Sequence, residues 1–437
     1  MQKIIAINTI LLLSIAFFFT SCKKDYGNLN NATVEDFLKN ASQSELNNLV
    51  SGTEAGMRNL LNLYLDDVGT IGRESYHFSG SEPRYVTDLL GASNGTLSGS
   101  NFYIANPWAA RYRVVKNCNI LIQAATNSTL ISDDKKNGYI GFARTIKAYE
   151  LLMNLNLTDS NGVRIDVNDP DHLGPFVSHD EGLAAIASLL DSGKLAFTAG
   201  SATLPIAFPL AGFNGFNDAP GLTKFNRALA ARVSVYQKNW QGALDDLNES
   251  FFGLNSSVNL GVYHVFGTGS GDQLNPLFIP QNQTGEVRVA HPSYAADIEA
   301  GDDRIDKATL RSATASLLGL SSNRDVWVYT SATAPLPIIR NEELILIYAE
   351  ANIQLDNLTE GVKAINVIRN GHQLGNYAGP VTKDALINEM LKQRRYSLYF
   401  EGHRWIDMRR YGLLNSLPLD RAGDDVWAKF PLPVTEQ

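Results

Sequence analysis

The sequence predicts a mostly α-helical fold, a tetratricopeptide-like scaffold of helical pairs that carries large irregular loops and a few short strands. Apolar residues recur at spacings of three and four along several segments, as one buried helix face requires. Stretches rich in Gly, Asn and Ser separate these segments, and such residues favour turns and surface loops. Apolar residues make up 44% of the 437 residues and charged residues 19%, so the chain can bury a large core.

The predicted helices follow one another along most of the chain, at 45–65, 111–125, 139–157, 222–237, 240–247, 342–355, 359–369 and 383–400. The fourth and fifth are close enough to form a helical hairpin, as are the sixth and seventh. Long loops are predicted at 66–106, 198–221 and 253–326, and loops of this length usually carry function or small local elements. The apolar runs 287–290 and 326–329 are predicted strands.

The N-terminus has the pattern of an export signal. Lys3 is followed by a nearly continuous apolar stretch to Phe19, which is too short for a confident membrane span. Cys22 follows the small residues Thr20 and Ser21, as in a bacterial lipoprotein signal, so we expect residues 1–21 to be removed and Cys22 to carry lipid. An ordinary secretory signal that happens to end near a cysteine is the alternative.

Charge and motif composition exclude several functions. The formal net charge is −8, whereas a nucleic-acid binder needs a basic surface. Metalloprotease, nucleophile-elbow and phosphate-loop motifs are all missing, which argues against an enzyme. One acidic loop holds candidate oxygen ligands: Asp159, Asn161, Asp166, Asn168, Asp169 and Asp171. Its spacing does not fit an EF-hand, so we interpret it as a solvated turn, with calcium as the alternative and no other cofactor expected.

Aromatic residues in the predicted loops point to ligand binding. Flat rings beside Asn, Asp and Arg can bury the apolar face of a ligand and bond its hydroxyl groups. We predict ligand contacts from the 66–106 loop and from the region of Trp327. The candidate contacts are Arg73, Glu74, Tyr76, Tyr85, Tyr103 and Trp327. Three tryptophans on predicted helices, Trp108, Trp240 and Trp405, are assigned to packing.

The C-terminal third resembles a known family. Residues 336–340 and 342–351 precede a run at 400–410 that reads Phe-Glu-Gly-His-Arg-Trp-Ile-Asp-Met-Arg-Arg. These motifs are similar to those of the SusD/RagB family of outer-membrane nutrient-binding lipoproteins of Bacteroidetes. On this resemblance, residues 22–200 form the N-terminal region and 201–437 the C-terminal region of one intertwined unit. The charged residues of the shared motifs are expected to form ion pairs between helices. They are Glu350, Arg369, Arg394, Glu401, Arg404 and Asp407.

The resemblance implies a binding protein rather than an enzyme. It implies a lipid anchor in the outer membrane on the extracellular face, an oligosaccharide ligand, and a SusC-like TonB-dependent transporter as partner. A carbohydrate-active hydrolase and a structural lid without affinity for sugar are the alternatives. The family's ligand contacts lie in variable loops, so the resemblance assigns no contact residue in this chain.

Overall fold

The computed structural model describes residues 38–92, 95–169, 171–199 and 210–436. The predicted signal and Cys22 lie outside these ranges. The α-helices are α1 Gln43–Met57, α2 Leu61–Ile71, α3 Phe102–Asn127, α4 Asp133–Thr158, α5 His179–Ala199, α6 Ala219–Tyr236, α7 Trp240–Asn248, α8 Pro292–Asp297, α9 Asn341–Gln354, α10 Leu358–Gly371, α11 Lys383–Ser397 and α12 Arg404–Arg410. The strands are β1 Ser75–Phe78, β2 Val163–Arg164, β3 Phe176–Val177, β4 Gly261–His264, β5 Val287–Ala290, β6 Ala308–Leu317, β7 Leu320–Val326 and β8 Leu336–Arg340.

The helices form a sequential array, which confirms the predicted mostly α-helical scaffold. From α3 to α7, each helix packs extensively against the next one along the chain. Helix α9 then packs against both α7 and α10, and α11 completes the second group. The main apolar core runs through the first group, and a second core lies between α9, α10 and α11.

The predicted helix at 45–65 is two helices. Helix α1 ends at Met57, and Leu60 adopts a left-handed conformation with φ of 54° before α2 begins. The buried guanidinium of Arg111 donates hydrogen bonds to the carbonyls of Met57 and Asn59, which leaves the end of α1 without helical continuation. The helical periodicity continues across this break, so the sequence pattern alone could not reveal it.

Two of the predicted loops contain regular structure. Within 66–106, α2 extends to Ile71 and β1 follows, and within 253–326 most of the main sheet is found. This sheet has the order β1-β5-β7-β6, with antiparallel neighbours. The predicted strand at 287–290 is confirmed as β5, whereas the strand expected at 326–329 is wrong, because β7 ends at Val326.

Ion pairs join the C-terminal helices as the motif charges predicted. Arg394 of α11 contacts Asp407 of α12 at 2.7 Å, and Arg410 of α12 contacts Glu350 of α9 at 2.8 Å. Arg369 of α10 binds Glu389 of α11, and Glu401 binds Arg340 at the end of β8. Arg404 is the exception among the motif charges. Within the described ranges no carboxylate lies within ion-pair distance of it, and burial lowers its pKa to about 10.

Candidate functional site

A groove of about 920 Å³ lies where several helix ends meet. The end of α4 and the start of α5 form one wall, and the turn between α6 and α7 forms another. The C-terminal ends of α9 and α12 close the groove. Its lining combines aromatic, charged and amide side chains, among them Asp159, His179, Tyr236, Gln237, Lys238, Trp240, Gln354, Arg409 and Tyr411. We call it the Trp240 groove.

Local backbone geometry brings these side chains to one place. Lys238 has a φ of 58°, which reverses the chain between α6 and α7. Asn239 then caps α7 by accepting a hydrogen bond from the Gly242 N–H at 3.1 Å. On the opposite wall, Asp159 ends α4 with a φ of 47°. These two sharp turns place Trp240 and Asp159 at the same end of the helical array.

Fixed charges hold the floor of the groove. The Asp159 carboxylate contacts Arg409 Nε at 3.0 Å and His179 Nε2 at 3.8 Å. Arg409 also donates to the carbonyls of Asn156 and Ala428, and its guanidinium lies 4.6 Å from the centre of the Trp405 ring. Burial lowers the pKa of Arg409, and the nearby Asp159 opposes that shift. The charges in the floor are therefore matched by protein partners.

The rim, by contrast, offers free hydrogen-bonding groups. Within the described part of the chain, no hydrogen bond or ion pair engages the side chains of Gln237 and Lys238 or the indole N–H of Trp240. The Trp240 ring is only partly buried and packs against the edge of the main core. An indole face beside free amide, amine and N–H groups can bind a ligand that has both apolar faces and hydroxyl groups.

Five of the six sequence-predicted contacts lie in the interior instead. Arg73, Glu74, Tyr76, Tyr85 and Tyr103 are each buried. Arg73 donates to the carbonyls of Pro418 and Asp425, and Glu74 accepts a hydrogen bond from the Phe400 N–H. Tyr76 stacks on Phe78, Tyr85 stacks on His77, and the Tyr103 hydroxyl donates to Asp88 at 3.0 Å. These side chains link β1 and its neighbours to the rest of the fold.

The 66–106 region therefore holds its predicted contacts in the interior, and ligand binding there stays a prediction. Its aromatic residues occupy positions on a strand, a short 3₁₀ turn and the start of α3, where their rings fill the core. A ring buried on both faces cannot stack on a ligand without local opening of the fold.

Trp327 is the sixth predicted contact, and it lies apart from the Trp240 groove. It is half-buried, directly after β7, and its ring centre is 6.1 Å from that of the half-buried Phe278. A ligand contact at Trp327 stays a prediction. Trp108 and Trp405 are buried as expected, and Trp240 packs against the edge of the core as expected but also lines the groove. The sequence feature that could have indicated a binding role for Trp240 is its position directly after the Lys238-Asn239 turn.

Several polar groups of the acidic loop bond one another. Asn168 donates to Asp166 at 3.2 Å, and Asp169 binds the backbone N–H of Asp171 and the ring of His172. Among the described residues, no group of three or more His, Cys, Asp and Glu side chains is placed to hold a metal ion.

Comparisons with known proteins agree on one family. No curated protein sequence matches the chain significantly. The family model described as "SusD family" matches residues 292–430. This C-terminal segment of the chain is similar to the SusD family. Its matched segment covers β6 to β8 and the helices from α8 to α12, including the Arg394–Asp407 and Arg410–Glu350 ion pairs.

Solved structures extend the similarity beyond that segment, as a likeness of fold. A SusD superfamily protein from Bacteroides vulgatus is 16% identical, with a TM-score of 0.68 over 90% of this chain and 96% of the other. Surface glycan-binding protein A from Bacteroides thetaiotaomicron, solved with laminarihexaose, is 12% identical with a TM-score of 0.68, covering 91% and 97%. NanU from B. fragilis is 16% identical with a TM-score of 0.64, covering 87% and 91%. At these identities the comparisons establish a shared fold.

Of the helices in the described ranges, none has the length and apolar character needed to cross a membrane.

Proposed function

We propose that the chain binds oligosaccharides at the cell surface and does not cleave them. The main observation behind this proposal is the Trp240 groove, which combines an accessible indole with unpartnered hydrogen-bonding groups. A volume of about 920 Å³ is large enough for several sugar rings. The shared fold with a protein solved in complex with laminarihexaose supports an oligosaccharide as the ligand class.

The groove geometry favours binding of uncharged sugar faces. The Asp159–Arg409 and Arg410–Glu350 pairs are neutral as units. On the rim, the positive charge of Lys238 is balanced by the negative charge of Asp180, so the groove has no excess charge to attract an ion. Stacking on Trp240 would supply affinity, while Gln237 and Lys238 would bond hydroxyl groups. Stacking of a nucleobase on an aromatic side chain, a comparable flat contact, contributes about 1–3 kcal/mol.

We further propose a lipid anchor at Cys22, on the extracellular face of the outer membrane, and delivery of the bound sugar to a SusC-like TonB-dependent transporter. The N-terminal signal pattern and the match of residues 292–430 to the SusD family support this part of the proposal.

Calorimetric titration tests the proposed groove. The wild-type chain is titrated with a panel of hexasaccharides that differ in sugar and linkage, and the reducing ends are counted after incubation. We expect one or more hexasaccharides to bind, with no release of reducing ends. Trp240→Ala and Gln237→Ala should weaken binding about tenfold or more, the effect of losing one stacking or polar contact.

Gln241→Ala is the matched control, because Gln241 lies on the same helix, is exposed and bonds Asp245 outside the groove. It should bind like the wild type. Thermal melts distinguish loss of a contact from loss of folding, since Trp240 also packs on the core. Release of reducing sugar, or undiminished binding by Trp240→Ala and Gln237→Ala, would overturn the proposal.

A further inference from the structure

A second cleft, of about 380 Å³, lies between α1 and α3 and carries two arginines. Helix α1 contributes Gly52, Ala55 and Gly56, at positions that share one helix face. Helix α3 contributes Ala110, Arg113 and Asn117, also on one face. The small residues at the bottom of the cleft leave space between the two helices, and the longer polar side chains line its sides.

The two guanidinium groups differ in how far they are neutralised. Arg58 contacts Asp272 at 3.0 Å and donates to the Val265 carbonyl, while its Nε is buried without a hydrogen-bond partner. Arg113 is exposed, and no described residue forms a hydrogen bond or ion pair with it. Glu54, on the turn before Arg58, binds the N–H groups of Ala211 and Gly212 and does not line the cleft.

The cleft therefore has one positive charge in excess, on a chain whose formal net charge is −8. Uncharged amides flank that charge. Within the described ranges the side chains of Asn59 and Asn117 have no hydrogen-bond partner, and Gln273 donates to the Ala55 carbonyl and leaves its amide oxygen free. One unmatched guanidinium fits one carboxylate, and the amides fit the hydroxyl groups beside it.

We propose that this cleft is a second binding site, for a carboxylate-bearing sugar, in which Arg113 binds the carboxylate and the amides bind hydroxyl groups. Its size suits one or two sugar rings rather than a long chain. This inference goes beyond the proposed function and does not depend on the Trp240 groove.

Glucuronate is the probe, with methyl glucoside and inorganic phosphate as comparison ligands, titrated calorimetrically into the full chain. We expect glucuronate to bind and methyl glucoside to bind at least about tenfold more weakly, as loss of one charged hydrogen bond predicts. Arg113→Gln should weaken glucuronate binding by a similar factor. Lys116→Gln, which removes the same charge from an exposed position one turn along α3 and outside the cleft, should bind like the wild type.

Gly52 allows the cleft to be blocked without removing a charge. A Cβ atom at Gly52 would meet no heavy atom within 4 Å, so a side chain there enters open space. Gly52→Phe should abolish glucuronate binding and Gly52→Ala should retain it, and neither should lower the melting temperature, because both residues favour a helix more than Gly does.

Trp240→Ala separates the two proposals, since it should leave glucuronate binding unchanged. Three results would overturn the second site: no binding of glucuronate by the wild type, equal binding by Arg113→Gln and Gly52→Phe, or equally tight binding of phosphate, which would indicate a simple anion site.

Discussion

Arg111 and Glu150 form a charge pair at the centre of the helical array. Their side chains are fully buried, with Nη1 and Oε2 2.9 Å apart. Burial raises the pKa of Glu150 to about 7, and Arg111 opposes that rise.

We expect Arg111→Met to lower the free energy of unfolding by about 3–5 kcal/mol, because it leaves a buried carboxylate unpaired. Glu150→Gln should cost clearly less, since Arg111 keeps its two carbonyl partners on α1. Urea denaturation measures both, and equal losses would contradict this account.

Glu74 predicts a pH dependence of stability. Burial raises the pKa of its carboxyl to about 8, from an ordinary value of 4.5. The folded chain therefore keeps a proton that the unfolded chain releases above about pH 4.5. The contribution of Glu74 to the free energy of unfolding is therefore complete below pH 4.5. It decreases as the pH rises to about 8, by no more than about 1.4 kcal/mol per pH unit.

The test is denaturation of Glu74→Gln across this pH range. The variant should lose less stability than the wild type between pH 5 and 8, because its neutral amide has no proton to lose. Asp384→Asn, which removes an exposed carboxyl, serves as the control and should keep the wild-type slope. Parallel slopes for wild type and Glu74→Gln would count against a protonated Glu74.

Residue type alone did not distinguish a ligand contact from a core contact. Arg73, Glu74 and Tyr76 have the chemistry of a sugar site, and the sequence around them has no helical period. Tyr76 is buried where the short strand β1 pairs with β5, more than two hundred residues later, and Arg73 and Glu74 are buried against segments near the C-terminus. No local pattern encodes such a partner.

At the scale of the element, helix α1 begins with a complete capping box. The Ser42 hydroxyl accepts a hydrogen bond from the Glu45 N–H, and the Glu45 carboxylate accepts one from the Ser42 N–H at 2.7 Å. Ser42→Ala should therefore lower the free energy of unfolding by about 1 kcal/mol. Ser132 occupies the same position before α4 but makes no capping hydrogen bond, so Ser132→Ala is the control and should have little effect. Thermal denaturation of both variants measures this difference in stability. Equal effects of the two substitutions would be evidence against the capping box.

Periodic helices could be predicted from the sequence, and irregular or long-range elements could not. The pairs α6–α7 and α9–α10 lie where their apolar spacing placed them. Helix α5 was missed, although Ser178 and Glu181 form a capping pair before Leu183, Ile186 and Leu190. The hairpin of β6 and β7 was also missed, because several of its residues are exposed and its polar pattern resembles that of a loop.

At the scale of the whole molecule, the proposed lipid anchor makes a simple prediction. Cys22→Ser removes the thiol that would carry lipid, so the chain should move from the membrane fraction to the soluble fraction of the cell. Cys118→Ser is the control, because that thiol is buried in the core, where burial raises its pKa. Immunoblotting of fractionated cells measures the outcome. Membrane association that survives Cys22→Ser would rule out the anchor at that residue.

The Trp240 groove could not be predicted from the sequence, because its walls come from five separate parts of the chain. Asp159, His179, Trp240 and Arg409 are near one another only after the helical array has formed. The sequence does predict the match of the C-terminal segment to the SusD family, the helical scaffold and most of the motif ion pairs, since these depend on local periodicity and on charge motifs.

Hydrogen–deuterium exchange with and without the tightest-binding hexasaccharide tests the central claim most directly. Binding in the Trp240 groove should slow exchange in the 235–241 turn, most of whose residues line the groove, and at the start of α5, which also lines it. Exchange around Phe278 and Trp327 should stay unchanged. Protection around Phe278 and Trp327 without protection of the 235–241 turn would contradict the account and place the ligand at the other aromatic surface.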